Sequence, residues 1–136
     1  MKQVAATLLT LGLLTGPVLA SPLDGYAPVD LTDFQPNEGP SAIGLLIDLI
    51  EAHPESLEGN PEMRIGMKPT EDGSALQVDV EMTGYLDDSV AGEKYRALLV
   101  PANAWRIEAL GKQYKCRRGD SAGEWTTNLC PGAARK

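Results

Sequence analysis

The stretch Leu76-Gln77-Val78-Asp79-Val80-Glu81-Met82-Thr83 decides the fold class. Apolar and polar residues alternate through all of it, the pattern of a strand with one face on a core and one in water. The same period extends outward on both sides. Upstream, Met63, Ile65 and Met67 alternate with Arg64, Gly66 and Lys68, and Pro69-Thr-Glu-Asp-Gly73 reads as a hairpin loop with a glycine for a positive-φ position. Downstream, Gly84 to Gly92 reads as a longer loop and Lys94 to Val100 as a third strand ended by Pro101-Ala-Asn103. In a fourth strand, Trp105, Ile107 and Ala109 alternate with Arg106 and Glu108; Gly111 is placed as a bulge or bend, and Gln113 to Cys116 resumes the strand.

Sequential strands with short connections pair antiparallel with their neighbours, which predicts a four-stranded meander. If the second and third strands are neighbours, their wet faces bring Asp79 and Glu81 close to Lys94 and Arg96.

A different period precedes the strands. Ile43, Leu46, Ile47 and Ile50 recur at i, i+3, i+4, i+7, and Ala42, Leu45 and Leu49 widen the stripe, predicting a helix over 41–53. Pro40 suits its first turn, Gly39 or Ser41 its cap, and Pro54 its end. Only Gly44, Asp48 and Glu51 are left to face water, so a helix this apolar must be largely covered. Before it, residues 21–40 carry four prolines, two glycines and scattered acids, an extended arm that Tyr26, Val29, Leu31 and Phe34 pin to the core.

The expected architecture is therefore α+β: one N-terminal helix packed on a four-stranded antiparallel meander, with a disulfide-stapled C-terminal tail. The layout is that of cystatin-like and nuclear-transport-factor-like folds. The expected division is a signal peptide at 1–20, a proline-rich acidic arm at 21–40 and a single domain at 41–136.

The first twenty residues carry the address. Lys2 precedes an apolar stretch from Val4 to Leu14, then Thr15-Gly16-Pro17 and Val18-Leu19-Ala20. A basic start, an apolar run and small residues at the cut are the parts of a secretory signal peptide, cleaved after Ala20. The run is too short to cross a bilayer, which takes about 20 residues. The expected location is the periplasm or the medium, with no membrane association once the signal is removed.

Without those residues the chain carries 11 Lys+Arg against 19 Asp+Glu, a net charge of −8. Such a domain repels phosphate backbones and anionic lipid surfaces, so nucleic acid is not an expected partner. The charge is divided. Residues 21–93 hold 16 acids and two bases, Arg64 and Lys68; residues 94–136 hold nine bases and three acids. Either the acidic part folds against the basic part, or the basic part offers a patch to an anionic partner.

Two cysteines, Cys116 and Cys130, form an even pair in an exported chain and read as a disulfide. A redox-active pair would sit closer, and a zinc site would need two more ligands. The only histidine, His53, reads as a helix-terminal cap. Asp87-Asp88-Ser89 reads as a structural loop whose carboxylates bond nearby backbone amides; no EF-hand spacing follows it. Asp24, Asp30, Asp33, Glu71 and Asp72 read as solvated arm and turn residues. No metal, cofactor or catalytic residue is expected.

The candidate partner-binding surface is Lys112, Tyr114, Lys115, Arg117, Arg118 and Trp125, bases beside aromatics that suit an unknown protein or a small anionic ligand. The plainer alternative packs Trp125 over the Cys116–Cys130 bridge and leaves the bases in water.

Asp87-Asp88-Ser89-Val90-Ala91-Gly92-Glu93, Tyr95-Arg96, Trp105, Cys116-Arg-Arg-Gly119, Trp125 and Cys130 together resemble a pattern in small secreted bacterial proteins of unknown function. The resemblance covers residues 85–131 and implies that the loop and the stapled tail are one structural unit; it implies no activity. The expected function is that of a small exported, non-catalytic binding domain, such as an inhibitor or accessory protein in the periplasm. The alternative is a small hydrolase-like enzyme using the carboxylates of Asp87 and Asp88.

Overall fold

The structure is a computed structural model, described here for residues 21–51 and 59–133. Its elements in chain order are β1 (Ala27–Pro28), β2 (Glu38–Gly39), α1 (Ala42–Glu51), β3 (Glu62–Pro69), β4 (Leu76–Thr83), β5 (Val90–Pro101), β6 (Trp105–Cys116) and β7 (Trp125–Thr126). All seven strands belong to one antiparallel sheet ordered β1-β6-β5-β4-β3, with β2 and β7 also paired to β6.

This overturns the expected α+β arrangement of a helix covering a four-stranded meander. Among the described residues the protein is mostly β, with a single short helix. Two physical facts account for the difference. The helix has ten residues and the two longest strands have twelve each. At roughly 1.5 Å per helical residue and 3.3 Å per strand residue, a helix of about 15 Å faces strands of about 40 Å and cannot cap them. Secondly, the arm and the tail are not mere straps. Each adds two-residue strands to β6, pieces too short to show any period. Pro28 is compatible with this because β1 is an edge piece, where a missing N–H costs no ladder bond; the next residue, Val29, donates its N–H to the Leu110 carbonyl at 2.8 Å.

The meander itself follows the sequence pattern. β4 has the expected bounds, and its apolar residues Val78, Val80 and Met82 are all buried. Asp79 pairs directly with Arg96 and Glu81 with Lys94, with ion-pair distances of 2.6 and 2.9 Å. β5 begins earlier than the alternation predicts, at Val90. β6 runs unbroken through Gly111, and the bulges lie elsewhere, between Val90 and Gly92 and between Leu98 and Leu99. Gly111 is needed for close approach instead: a Cβ there would lie 2.6 Å from the Cβ of Tyr26. Its bare backbone lets the arm lie flat on the sheet, where the Tyr26 ring sits 4.6 Å from the Arg96 guanidinium.

The core lies on the other face, where Val78, Val80, Met82, Tyr95, Ala97, Leu99, Ile107 and Leu110 meet Phe34 of the arm and Leu45, Leu46 and Leu49 of the helix. The Ser41 hydroxyl caps the helix, accepting the Gly44 N–H at 3.0 Å. The buried stripe is Ala42, Leu45, Leu46 and Leu49, rotated from the one centred on Ile43 and Ile47, which are exposed. With seven apolar residues in ten, several stripes fit the sequence, and packing on β2 and β6 selects one. The expected signal segment at 1–20, His53 and Pro54 lie outside the described residues.

Candidate functional site

The expected binding residues part into three places, set by strand register. Lys112 and Tyr114 stand on the core-side face of β6, opposite Tyr95 and Glu93 of β5. There Lys112 Nζ lies 2.6 Å from Glu93 Oε1, 4.6 Å from the Tyr114 ring centre and 5.1 Å from that of Tyr95. The Tyr95 hydroxyl donates to Glu93 Oε2 at 3.1 Å, and that of Tyr85 lies at 3.5 Å. Burial, reinforced by the Glu93 carboxylate, pushes both phenols far above their ordinary pKa, so they remain neutral donors. Glu93 thus gathers a lysine and two tyrosines. Beside it is a cavity of about 190 Å³ reached by Asp33, Phe34, Leu49 and Lys112, below the roughly 300–1,000 Å³ of ordinary small-molecule sites. The sequence reading ended the loop at Gly92 and began the third strand at Lys94, leaving Glu93 in neither; extending the alternation by one residue would have placed it on the face of Tyr95.

Arg117 and Arg118 are used internally. Arg117 Nε donates to the Asp87 carbonyl at 2.8 Å, and Nη2 to the Tyr85 carbonyl. Arg118 donates through Nε and Nη2 to the Asp88 carbonyl at 3.1 and 2.9 Å, and its Nη2 lies 2.5 Å from Asp88 Oδ2. Asp87 Oδ1 accepts the N–H groups of Ser89 and Val90 at 2.6 and 2.7 Å, and these bonds hold its carboxyl below the usual carboxylate range. Ser89 is buried. The Cys116–Cys130 disulfide, with 5.4 Å between Cα atoms, closes the same corner. The loop Asp87-Asp88-Ser89 and the tail are one knot of backbone acceptors, guanidinium donors and a covalent bridge. Asp87 is thus held as an anion by the backbone of its own loop.

Lys115 and Trp125 are register partners on the outer face. The Trp125 ring receives Lys94 Nζ at 4.5 Å and Lys115 Nζ at 5.9 Å. Lys94 therefore links Trp125 to Glu81, and the outer face of the central strands is a lattice of charges paired with one another and with rings. Among the described residues, Lys94, Arg96, Lys112 and Arg118 of the basic part each meet a carboxylate of the acidic part.

Among the described strands, β3 alone is exposed along its whole length. All eight of its residues are exposed. Met63, Ile65 and Met67 are 43%, 49% and 43% exposed, while the residues they pair with, Met82, Val80 and Val78, are at most 1% exposed. β3 ends the sheet, and among the described residues no strand pairs with its outer side.

No grouping of histidine, cysteine and carboxylates able to hold a metal occurs among the described residues, and no helix there is long and apolar enough to cross a membrane. No family model, curated protein or solved structure matches the chain.

Proposed function

We propose that this is an exported, non-catalytic interaction domain that engages its partner by strand addition along the free edge of β3. The observation that carries the reading is the exposed Met63-Ile65-Met67 row on an eight-residue edge strand, beside a row that is fully buried. Strand addition supplies affinity through main-chain hydrogen bonds and specificity through alternate side chains. Among the described residues, Lys94, Arg96, Lys112, Lys115, Arg117 and Arg118 are already engaged with carbonyls, carboxylates and rings, which leaves them little to offer an anionic partner.

The disulfide is consistent with an extracellular or periplasmic location. The signal-like segment 1–20 and the resemblance of residues 85–131 to small secreted bacterial proteins support the periplasm or the medium as the place of action.

Site-specific photocrosslinking in the producing cell tests the reading. A photoreactive side chain at Met67 is expected to give discrete adducts, and one at Arg118 is not. Adducts from position 118 with none from position 67 would overturn the proposal.

A further inference from the structure

We propose that the partner on the β3 edge is a second copy of this chain, joined antiparallel about a two-fold axis through Ile65; this rests on the strand-addition reading above. The segment Pro61-Glu62-Met63-Arg64-Ile65-Gly66-Met67-Lys68-Pro69 is chemically self-complementary. Read against its own reverse about Ile65, proline meets proline, Glu62 meets Lys68, Met63 meets Met67, Arg64 meets Gly66 and Ile65 meets itself.

Register selects this pairing. A residue and its antiparallel partner share a face of the sheet, so allowed registers differ by moving the axis from one residue to the next. An axis through Arg64 sets Arg64 against its own copy. An axis through Gly66 sets Arg64 against Lys68. Only the axis through Ile65, among these three, opposes no like charges, and it creates two Glu62–Lys68 pairs. Glu62 Oε2 already lies 3.7 Å from Arg64 Nη2 of its own strand, so each carboxylate would stand between two cations. Nothing lies within 4 Å of a Cβ built on Gly66, which leaves room for the opposed Arg64 side chain to cross it. On the other face, Met63, Ile65 and Met67 of both copies would form one apolar strip continuous with Val78, Val80 and Met82.

The charge distribution points to the same strand. Arg64 and Lys68 are the only bases in residues 21–93, against 16 acids. Both lie on β3, so this edge is where two acidic domains can approach with attraction in place of repulsion. Lysine, arginine and flanking prolines also serve elsewhere to keep sheet edges apart. The two roles differ in outcome, because guarding requires only the charges and pairing requires their order.

Sedimentation velocity of the chain purified after export, over a concentration series, reads the association. A concentration-dependent dimer is expected. Lys68→Glu and Glu62→Lys should each weaken it by roughly tenfold or more, since each opposes like charges twice. Glu62→Lys with Lys68→Glu together should return it to near the wild-type constant. Under oxidising conditions Ile65→Cys should give a disulfide-linked dimer and Arg64→Cys should not. All these positions are exposed, and unchanged circular dichroism confirms that each variant folds. A chain that stays monomeric throughout, a double exchange that fails to restore a dimer weakened by each single change, or equal linking through positions 64 and 65 would overturn the inference. The adducts at Met67 separate the two claims: adducts of other than twice the chain mass sink the self-pairing and keep strand addition, and no adducts sink both.

Discussion

The two edges of the sheet are treated in opposite ways. On the outer side of β6 the chain lays down three short strands, two from the proline-rich arm and one from the stapled tail. On the outer side of β3 the described residues lay down none. Irregular segments with no helical or strand period are thus drawn to one edge, where they satisfy backbone groups, pin the arm and carry the disulfide. The other edge keeps eight exposed residues, three of them large and apolar. An open edge is a hazard for aggregation unless it is guarded or used. The contrast teaches that covering edges is within the reach of this chain, and that β3 is left open with a patterned row of charges.

The comparison can be broken at the covered edge first. Replacing Cys116 and Cys130 together by serine should cost about 3 kcal/mol in the chain-entropy view of a loop of this size. For a domain of about 100 residues this is a fall in Tm of roughly 10 °C or more in a thermal melt. An unchanged Tm would mean that the tail is held without its bridge.

A smaller effect should follow from Gly111→Val. The new side chain would occupy the space of Tyr26 and Leu23, and overpacking of this kind costs about 1–3 kcal/mol. Faster proteolysis within residues 21–30 would accompany the loss, since the arm must lift from the sheet.

Asp87→Asn sharpens the role of the knot through pH. The folded carboxyl has a lowered pKa because the backbone N–H groups of Val90 and Ser89 bond its ionised form. Its stabilisation is therefore fully present above the ordinary carboxylate range and is lost as pH falls through that range to the folded value. Wild type should exceed the variant in stability near neutrality, with the gap closing as pH falls through the carboxylate range. A gap that is constant across that range would contradict the assignment. Asp30 and Asp72, also lowered, titrate in both proteins and cancel in the difference.

The smallest effect on stability belongs to the open edge. Ile65→Ser, at a position 49% exposed, should shift the stability of the monomer by no more than about 0.5 kcal/mol. The same change at the buried neighbour Val80 would not be so mild. Measured by denaturant titration at low concentration, a large loss from Ile65→Ser would show that β3 is packed against something within its own chain.

Much of the sheet was readable from sequence because alternation survives wherever one face is buried. Residues 76–83 gave strand, face and register together, and the Asp79–Arg96 and Glu81–Lys94 pairs followed from charge placed at the right parity. The arm was not readable as strand. Two residues hold no period, and four prolines point away from sheet until β6 offers an edge that needs few donors. The helix face was ambiguous because seven apolar side chains leave the choice to packing. The role of Arg117 and Arg118 was hidden for another reason: their main partners are backbone carbonyls 30 and 32 residues away, and a carbonyl leaves no mark in sequence. The apolar row of β3 was visible as a strand, but its exposure was not, since exposure depends on the strand's place at the end of the sheet.

Amide hydrogen exchange across the two edges tests the central claim most directly. In dilute solution, β3 amides that do not donate to β4 should exchange without protection, while those that β1, β2 and β7 place on β6 should be protected. On concentration, the unprotected β3 amides alone should slow. Full protection of β3 in the dilute monomer, or fast exchange at the β6 edge beside a protected β3, would contradict the account.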